Sequence, residues 1–316
     1  MIPLEEIRRA RETIAGAAIR TPLLRPALPK APYELWLKPE NLQPIGSFKI
    51  RGAVNAVRRA GPEELAKGVL TASAGNMAQG VAWAAREAGV PATIVVPEQA
   101  PQTKLDAIER LGGRVIKVPH ERWWQTMVES RFEGVDGLFV HPVENELVMA
   151  GNGTIGLEIL EDLPDVDAVV IPYGGGGLTA GIASAVKALR PEAKVFTVEP
   201  ETGAPFAASF AAGSPQPFEY VPSFVDGAGA PLVLPKMWGI DSQLVDGALE
   251  ASLDETAGAV RLLVERARIV AEGAGALALA AALSGRAGEG KVVCVVSGGN
   301  IDSSRLATIL AGETPS

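Results

Sequence analysis

Cysteine, histidine and aromatic side chains are scarce in this 316-residue chain, which has one cysteine and two histidines. A disulfide within the chain is therefore impossible, and Cys294 lies in the apolar run 291–296, where a thiol behaves as a small hydrophobic group rather than as a nucleophile. His120 and His141 are too few for a histidine-rich zinc site. Acid–base catalysis near neutral pH would have to come from a lysine or a carboxylate whose pKa is shifted.

Long apolar runs and an excess of positive charge are also missing. No stretch is long enough to span a bilayer, and residues 1–10 lack the apolar core of a signal peptide, so we expect a cytoplasmic protein. The 29 basic and 37 acidic residues give a net charge of −8, which offers no electrostatic support for a nucleic-acid or membrane partner. With 47% hydrophobic and 21% charged residues, the composition predicts a globular protein of one or two domains.

Short apolar segments alternate with helical patterns along most of the chain, which predicts parallel sheets flanked by helices. We predict strands at 34–38, 68–72, 92–96, 114–118, 138–141, 167–171, 194–198 and 291–296. We predict helices at 3–15, from 47 onward, at 76–88, 101–111, 121–132, 153–163, 178–189 and 252–268, and from 271 onward. Residues 205–241 contain six prolines and are predicted to be a loop-rich connection rather than part of the core.

The stretch 38–53 carries the first indication of chemistry. It is rich in turn residues up to Gly46 and becomes helical at Ser47, which we predict to be the N-cap. Lys49 then falls in the first helical turn, where free backbone N–H groups and the helix dipole disfavour an ammonium group and lower the pKa of the amine. A neutral lysine amine can attack a carbonyl group. A surface lysine at the start of a helix is the more common explanation of this position taken alone.

Three further segments follow predicted strands, namely 73–80, the glycine run 174–177, and 297–300. Between a strand and a helix, the backbone N–H groups of a glycine run can converge on a phosphate. A dinucleotide site is an alternative, because Glu199 ends the next strand at roughly the spacing, about twenty residues, that such a site requires. A nucleotide-binding protein without catalytic activity is therefore the alternative from another functional class.

Lys49, Asn76, the glycine run and Ser297 occur in the order found in the pyridoxal-phosphate (PLP) enzymes of the tryptophan-synthase-β fold type. Over nearly its whole length the chain resembles their threonine dehydratase and serine racemase branch. The resemblance implies an α/β fold (PLP fold type II) with two domains, each a mostly parallel sheet flanked by helices. The large, cofactor-binding domain would comprise residues 1–66 and 143–316, and the small domain residues 67–142. The implied cofactor, pyridoxal 5'-phosphate, would lie in the cleft between them.

The same resemblance assigns roles to individual residues. Lys49 would be the catalytic residue, which captures the cofactor aldehyde and later removes the Cα proton of the substrate. The cofactor-binding residues would be Phe48 against the pyridine ring, Asn76 at its 3-oxygen, Ser297 at its nitrogen, Gly227 on the opposite ring face, and Gly174, Gly175, Gly176 and Gly177 at its phosphate. The substrate-binding residues would be Ser73, Ala74, Gly75, Asn76 and Met77. On the local sequence alone, an ordinary turn at 73–80 and an N-cap role for Ser297 are the alternatives.

The implied reaction is the dehydration and deamination of L-threonine, with L-serine as a second substrate, to a 2-oxo acid and ammonia. Serine racemases of the family carry a serine where this chain has Ala74, and racemisation needs a proton donor on each ring face, so Ala74 favours a dehydratase. Ser73 could supply that proton instead, which keeps an amino-acid racemase as the alternative. A β-replacement synthase is a third option.

Two other positions depart from the family pattern. Met77 stands where relatives often have histidine, which leaves the preferred β-substituent open. Glu199 matches a metal-binding glutamate of some relatives, but Pro205 replaces their aspartate, so Glu199 is expected to be a solvated carboxylate and no metal is predicted. The 16 residues after Asn300 are too few for an appended regulatory domain. The expected partners are a small hydroxy amino acid and further copies of the chain, in a homodimer or homotetramer.

Overall fold

The computed structural model describes residues 1–28 and 33–315, which form nine strands and thirteen α-helices. The strands are β1 (Glu34–Pro39), β2 (Val69–Ala72), β3 (Ala92–Pro97), β4 (Gly113–Val118), β5 (Leu138–Phe139), β6 (Ala168–Pro172), β7 (Lys194–Pro200), β8 (Gly247–Ala251) and β9 (Lys291–Val296). The helices are α1 (Leu4–Thr13), α2 (Lys49–Arg59), α3 (Pro62–Leu65), α4 (Asn76–Ala88), α5 (Gln102–Arg110), α6 (His120–Glu129), α7 (Glu146–Asp162), α8 (Gly177–Leu189), α9 (Pro205–Ala212), α10 (Pro235–Asp241), α11 (Leu253–Leu262), α12 (Gly273–Leu283) and α13 (Ser303–Leu310).

The strands build two separate sheets. Five strands follow the order β1-β9-β6-β7-β8, and four follow the order β4-β3-β2-β5. Every strand pair is parallel, so the chain must cross over between neighbouring strands, and helices make most of these crossovers. This confirms the predicted α/β fold. The second sheet lies wholly within residues 69–139. No helix in the described ranges is long and apolar enough to cross a membrane.

Helix α7 is longer than the sequence predicted. We placed its start at 153, but it begins at Glu146, because the side chain of Asn145 accepts the backbone N–H groups of Leu147 at 2.9 Å and Val148 at 3.1 Å. Its glycines are contact points and not helix ends. A Cβ on Gly151 would lie 2.5 Å from the carbonyl oxygen of Arg51 in α2. Close backbone approach at this glycine fixes α2, and with it Lys49, against α7.

The segment 205–241 was predicted to be a loop-rich connection, and the structure corrects this prediction at the two ends of the segment. Helices α9 and α10 lie at its two ends, and each has a proline at its first position. Proline is favoured there because its missing N–H would have no helical partner in any case. Two of the six prolines in this segment therefore begin helices rather than belong to loops. Strand β8, at the edge of the larger sheet, was also missed.

Ser47 does not cap α2, contrary to the prediction. Ser47 forms an isolated antiparallel bridge with Gly298, and the backbone N–H of Phe48 donates to the carbonyl oxygen of Ser297 at 3.0 Å. Phe48 occupies the cap position with helical backbone angles. Pairing with the segment after β9 holds Ser47 outside the geometry that an N-cap requires. The same pairing brings Lys49 next to Ser297, which is distant in sequence.

Candidate active site

A cleft of about 480 Å³ lies at the carboxyl ends of strands from both sheets. Ser73 directly follows β2, and Ser297 directly follows β9. Gly174 comes after β6 with one residue in between. Ligands of parallel sheets bind at this end of the strands. All thirteen site residues singled out in the sequence line this one cleft: Phe48, Lys49, Ser73, Ala74, Gly75, Asn76, Met77, Gly174, Gly175, Gly176, Gly177, Gly227 and Ser297. Their individual roles stay predictions.

Lys49 is the first residue of α2, as expected for a residue in the first turn. Its amine lies 5.0 Å from the centre of the Phe48 ring and donates to the carbonyl oxygen of Pro142 at 3.2 Å. Burial lowers the pKa of Lys49 to about 8, although the carboxylate of Glu272 acts in the opposite direction. The sequence predicted a lowered pKa from the helix terminus, and the larger cause is desolvation by the cleft walls. With a pKa of about 8, roughly one amine in ten is neutral at about pH 7, far more than for an unshifted lysine.

The glycine run joins β6 to α8 and has the properties of a phosphate site. Gly176, the N-cap of α8, has φ of 96°, which favours glycine, and offers no side chain to cap the helix. A Cβ on Gly175 would lie 2.3 Å from Cγ2 of Val143. Successive backbone N–H groups at an uncapped helix start are good donors to an anion. The loop is thus free to use these donors on a ligand.

The segment 73–77 turns from β2 into α4 with little side-chain bulk. The hydroxyl of Ser73 accepts the backbone N–H of Gly75 at 3.2 Å, and Gly75 is the N-cap of α4. Ala74 contributes only a methyl group. Met77 lines the cleft but is 2% exposed and packs in the core of the smaller sheet. This turn leaves helix N–H groups available to a carboxylate at the cleft wall.

Ser297 and Gly227 lie near Lys49 in the same cleft. Within residues 1–28 and 33–315 the Ser297 hydroxyl has no hydrogen-bond partner, and α13 begins later, with Asp302 as its N-cap. The alternative role of Ser297 as a helix cap is therefore wrong. A Cβ on Gly227 would lie 3.0 Å from Cβ of Ala274, so the absence of a side chain keeps this wall of the cleft open.

Glu272 is a cleft residue that the sequence analysis missed. It lines the cleft, and Oε1 of its buried carboxyl accepts the side-chain amide N–H of Asn76 at 2.7 Å. Burial and the nearby Asp226 raise the pKa of Glu272 to about 7, against the attraction of Lys104 and Lys49. Burial outweighs the mutual attraction of Glu272 and Lys49. The available signal was an acidic residue placed directly before the alanine-rich helix α12.

A second missed feature crosses the mouth of the cleft. Lys104 of α5 donates to Oδ2 of Asp226 at 2.7 Å, and Arg305 of α13 donates to the same oxygen at 3.1 Å. Lys104 and Asp226 both line the cleft. The helix next to the smaller sheet is thereby tied to the loop that carries Gly227. Partly exposed pairs of this kind contribute only about 0–1 kcal/mol of stability, so they can open readily.

A buried group of charged side chains holds α2 from behind. Arg51 donates to Glu40 at 2.7 Å and to Glu158 at 2.7 Å, and Lys38 donates to Glu158 at 2.5 Å. All four side chains are at most 5% exposed. The charges are paired, which burial requires. Arg51 lies two residues after Lys49, so this cluster fixes the helix turn that presents the amine.

Cys294 and His141, two of the three residues that the sequence analysis set aside as nucleophile or zinc ligand, are buried in the structure. Cys294 is fully buried, and burial raises the pKa of its thiol, which confirms the prediction. Burial and the nearby Lys49 lower the pKa of His141 to about 4, so its ring is neutral. Its Nδ1 accepts the backbone N–H groups of Val143 at 3.1 Å and Glu144 at 2.8 Å. His141 shapes the loop beside Lys49.

Glu199 is buried, so the prediction of a solvated carboxylate is wrong. Its two oxygens accept the backbone N–H groups of Phe206 at 3.2 Å and Ala207 at 2.8 Å, at the start of α9. Burial raises the pKa of Glu199 to about 8. The described ranges contain no group of three or more His, Cys, Asp or Glu side chains arranged to hold a metal ion. Pro205 begins α9, and its side chain has no oxygen to offer a metal ion.

The residues present fit PLP. The partly neutral amine of Lys49 suits an aldehyde, and the uncapped start of α8 suits a phosphate. The Ser297 hydroxyl, which has no hydrogen-bond partner among the described residues, suits a ring nitrogen. A dinucleotide would use the glycine loop but gives no role to a lysine amine in the same cleft. Glu199 suggested a dinucleotide site in the sequence, but both oxygens of its carboxyl group accept backbone N–H groups at the start of α9. The geometry favours PLP over a nucleotide.

Comparison with known proteins agrees with this geometry. Residues 14–298 match the model of a family described as pyridoxal-phosphate dependent enzyme. The L-threonine ammonia-lyase of Thermotoga maritima is 41% identical over 315 residues, which cover 98% of this chain and 78% of the relative. The crystal structure of a threonine deaminase from T.th. superposes with a TM-score of 0.83 and 36% identity over 95% of this chain and 98% of its own. The crystal structure of the serine racemase from Dictyostelium discoideum superposes with a TM-score of 0.86 and 35% identity, over 95% of this chain and 99% of its own. The chain belongs to the family of pyridoxal-phosphate dependent enzymes.

Proposed function

We propose that this protein is a threonine ammonia-lyase that converts L-threonine, and also L-serine, to a 2-oxo acid and ammonia. The observation that carries the proposal is the Lys49 amine, whose pKa is lowered to about 8, in one cleft with an uncapped phosphate loop. The similarity to L-threonine ammonia-lyase over 98% of the chain supports the choice of reaction. PLP, when bound, supplies an electrophilic aldehyde and a ring that delocalises the electron pair left at Cα.

Different residues of the cleft bind the substrate, bind the cofactor and transfer the proton. Backbone N–H groups of the turn 73–77 bind the substrate carboxylate, and the glycine loop binds the cofactor phosphate. The neutral amine of Lys49 takes the Cα proton. Without cofactor, that amine donates to the carbonyl oxygen of Pro142 at 3.2 Å. The hydroxyl of Ser297 carries no charge, which favours a weakly protonated ring nitrogen and suits elimination better than transamination. Walls of Phe48 and Met77 exclude water.

The test is a comparison of Lys49→Ala with Lys117→Ala, an exposed lysine on β4 that serves as the matched control. Lys49→Ala should lose the visible absorbance at about 410–420 nm that a lysine-linked PLP gives, together with ammonia release from L-threonine. Lys117→Ala should retain both. Far-ultraviolet circular dichroism establishes that each variant is folded. An active, coloured Lys49→Ala enzyme would falsify the assignment.

A racemase of the serine racemase type is the second candidate, and the hydroxyl of Ser73 in the cleft wall is the observation that favours it. That hydroxyl already accepts the N–H of Gly75, and Ala74 has no proton to give. Following optical rotation and ammonia together with L-serine separates the two. Loss of rotation without ammonia indicates racemisation, whereas 2-oxo acid in step with ammonia indicates elimination.

Three further expectations belong to the same proposal. We infer two domains, residues 1–66 with 143–316 and residues 67–142, and the separation of the strands into two sheets supports this division. Movement of the small domain would open the cleft. The protein works as a homodimer or homotetramer in the cytoplasm. Limited proteolysis with and without PLP, and light scattering of the loaded enzyme, test the first two.

A further inference from the structure

The carboxyl group of Glu272 is engaged in an unusual way for a residue at a helix start. Glu272 is the N-cap of α12, but its side chain makes no capping hydrogen bond to its own helix. Instead Oε1 accepts a hydrogen bond from Nδ2 of Asn76, in α4, at 2.7 Å. The backbone of Glu272 is fixed by the N–H that it donates to the carbonyl oxygen of Gly298 at 3.1 Å. The side chain therefore serves Asn76 and not its own helix.

The amide of Asn76 is held from both sides. Its Oδ1 accepts a hydrogen bond from Nδ2 of Asn300 at 2.7 Å, and that same Nδ2 donates to the carbonyl oxygen of Ile45 at 2.9 Å. A flipped Asn76 amide would place its oxygen against the carboxyl group of Glu272 and its NH₂ group against that of Asn300. Both contacts are unfavourable, so one orientation is selected.

This orientation leaves one donor free. An amide NH₂ group has two N–H donors, and Glu272 uses one of them. The other has no acceptor among residues 1–28 and 33–315, and Asn76 lines the cleft. Glu272 and Asn76 also pack closely against Gly298, just after β9. A Cβ on Gly298 would lie 2.3 Å from Oε1 of Glu272 and 3.2 Å from Nδ2 of Asn76. The amide nitrogen of Asn76 thus lies against Gly298, the residue that follows Ser297.

We infer that Glu272 is a positioning residue, which holds the Asn76 amide so that its second N–H reaches the cofactor in the cleft. The inference rests on the proposed function, because it requires PLP to be the ligand. Glu272 acts through a hydrogen bond and not through its charge. Neutral glutamine in its place can still accept from Asn76, whereas alanine cannot, and aspartate is too short by one methylene group.

The experiment measures PLP affinity of the cofactor-free protein by quenching of tryptophan fluorescence, together with the visible absorbance maximum of the loaded enzyme. The variants are Glu272→Gln, Glu272→Ala, Glu272→Asp, Asn76→Ala and the double variant Glu272→Ala with Asn76→Ala. We expect Glu272→Ala and Glu272→Asp to bind PLP roughly tenfold more weakly and to shift the absorbance maximum, and Glu272→Gln to stay within about threefold of the original protein. The double variant should be no weaker than Asn76→Ala alone, because both changes remove the same contact.

Each other outcome overturns the inference. If Glu272→Gln and Glu272→Ala lose PLP affinity equally, the charge of Glu272 matters. If the double variant loses affinity by the product of the two single losses, the two residues act independently. A lower melting temperature without loss of PLP affinity means that Glu272 is merely structural. If Glu272→Ala does not fold, Glu272→Asp against Glu272→Gln decides the same question. Failure of the unaltered protein to bind PLP would overturn the proposed function itself, which is a separate result.

Discussion

Gly176 offers the sharpest test of the phosphate loop, because the structure constrains it in two independent ways. Its φ of 96° is a conformation that costs a residue with a Cβ about 1–2 kcal/mol. A Cβ would also lie 2.3 Å from Oδ2 of Asp241 and 2.8 Å from the hydroxyl oxygen of Tyr173. Both side chains are buried and hydrogen-bonded to each other at 3.0 Å, so neither moves away cheaply. Overpacking of this kind costs about 1–3 kcal/mol.

Gly176→Ala should therefore lower the free energy of unfolding by about 2–5 kcal/mol, a large part of the stability of a typical protein. Gly174→Ala is the matched control two residues earlier. The atoms nearest to a Cβ there lie at 3.4 and 3.5 Å, which is ordinary contact, and we expect a change of at most about 1 kcal/mol.

The assay is urea unfolding of the cofactor-free proteins, followed by far-ultraviolet circular dichroism. A PLP titration of the folded variants then reports on the loop itself, because a displaced start of α8 should weaken phosphate binding in Gly176→Ala. If Gly176→Ala is as stable as Gly174→Ala and binds PLP equally well, the described loop geometry is wrong.

Two buried groups with shifted pKa values give predictions for stability against pH. The pKa of Lys49 is about 8 in the folded protein and about 10.4 in an unfolded chain, so between these values the unfolded chain binds more protons and stability rises with pH. Cofactor-free Lys49→Met should therefore be more stable than the original protein at about pH 7, with the difference shrinking towards about pH 10, and a difference independent of pH would contradict the lowered pKa. Burial raises the pKa of Asp241 well above its usual range. The folded protein therefore loses stability as the pH rises towards this raised pKa, because the carboxyl group ionises more readily in the unfolded chain. Asp241→Asn, which keeps an acceptor for the Tyr173 hydroxyl, should raise the melting temperature at about pH 8 and have little effect near about pH 4, and a loss of stability at about pH 8 would show that the carboxylate is needed.

Local patterns in the sequence were sufficient for most elements and for the position of Lys49 and of the loops after the strands, whereas the other proposed site members, such as Gly227 and Met77, came from the resemblance to a known family. Alternating apolar runs predicted the strands of both sheets apart from β8, and Lys49, the glycine run and Ser297 were recognised because each follows or begins an element with its own local signal. The errors fall where a distant segment determines the local structure. Ser47 is paired with Gly298 and so does not cap its helix, and the start of α7 depends on the Asn145 cap and on helix packing at its glycines.

The sequence by itself determined which side chains are available: one lysine at a helix start, a glycine loop without a cap, and a hydroxyl at a strand end. Only the tertiary structure decided their ionisation and orientation. Burial lowers the pKa of Lys49 to about 8 and raises that of Glu272 to about 7, and desolvation depends on every wall of the cleft. Asn76 is oriented by Glu272, 196 positions away, and by Asn300, 224 positions away. Because solvent exclusion and hydrogen-bond direction are properties of the assembled walls, no local pattern in the chain could encode them.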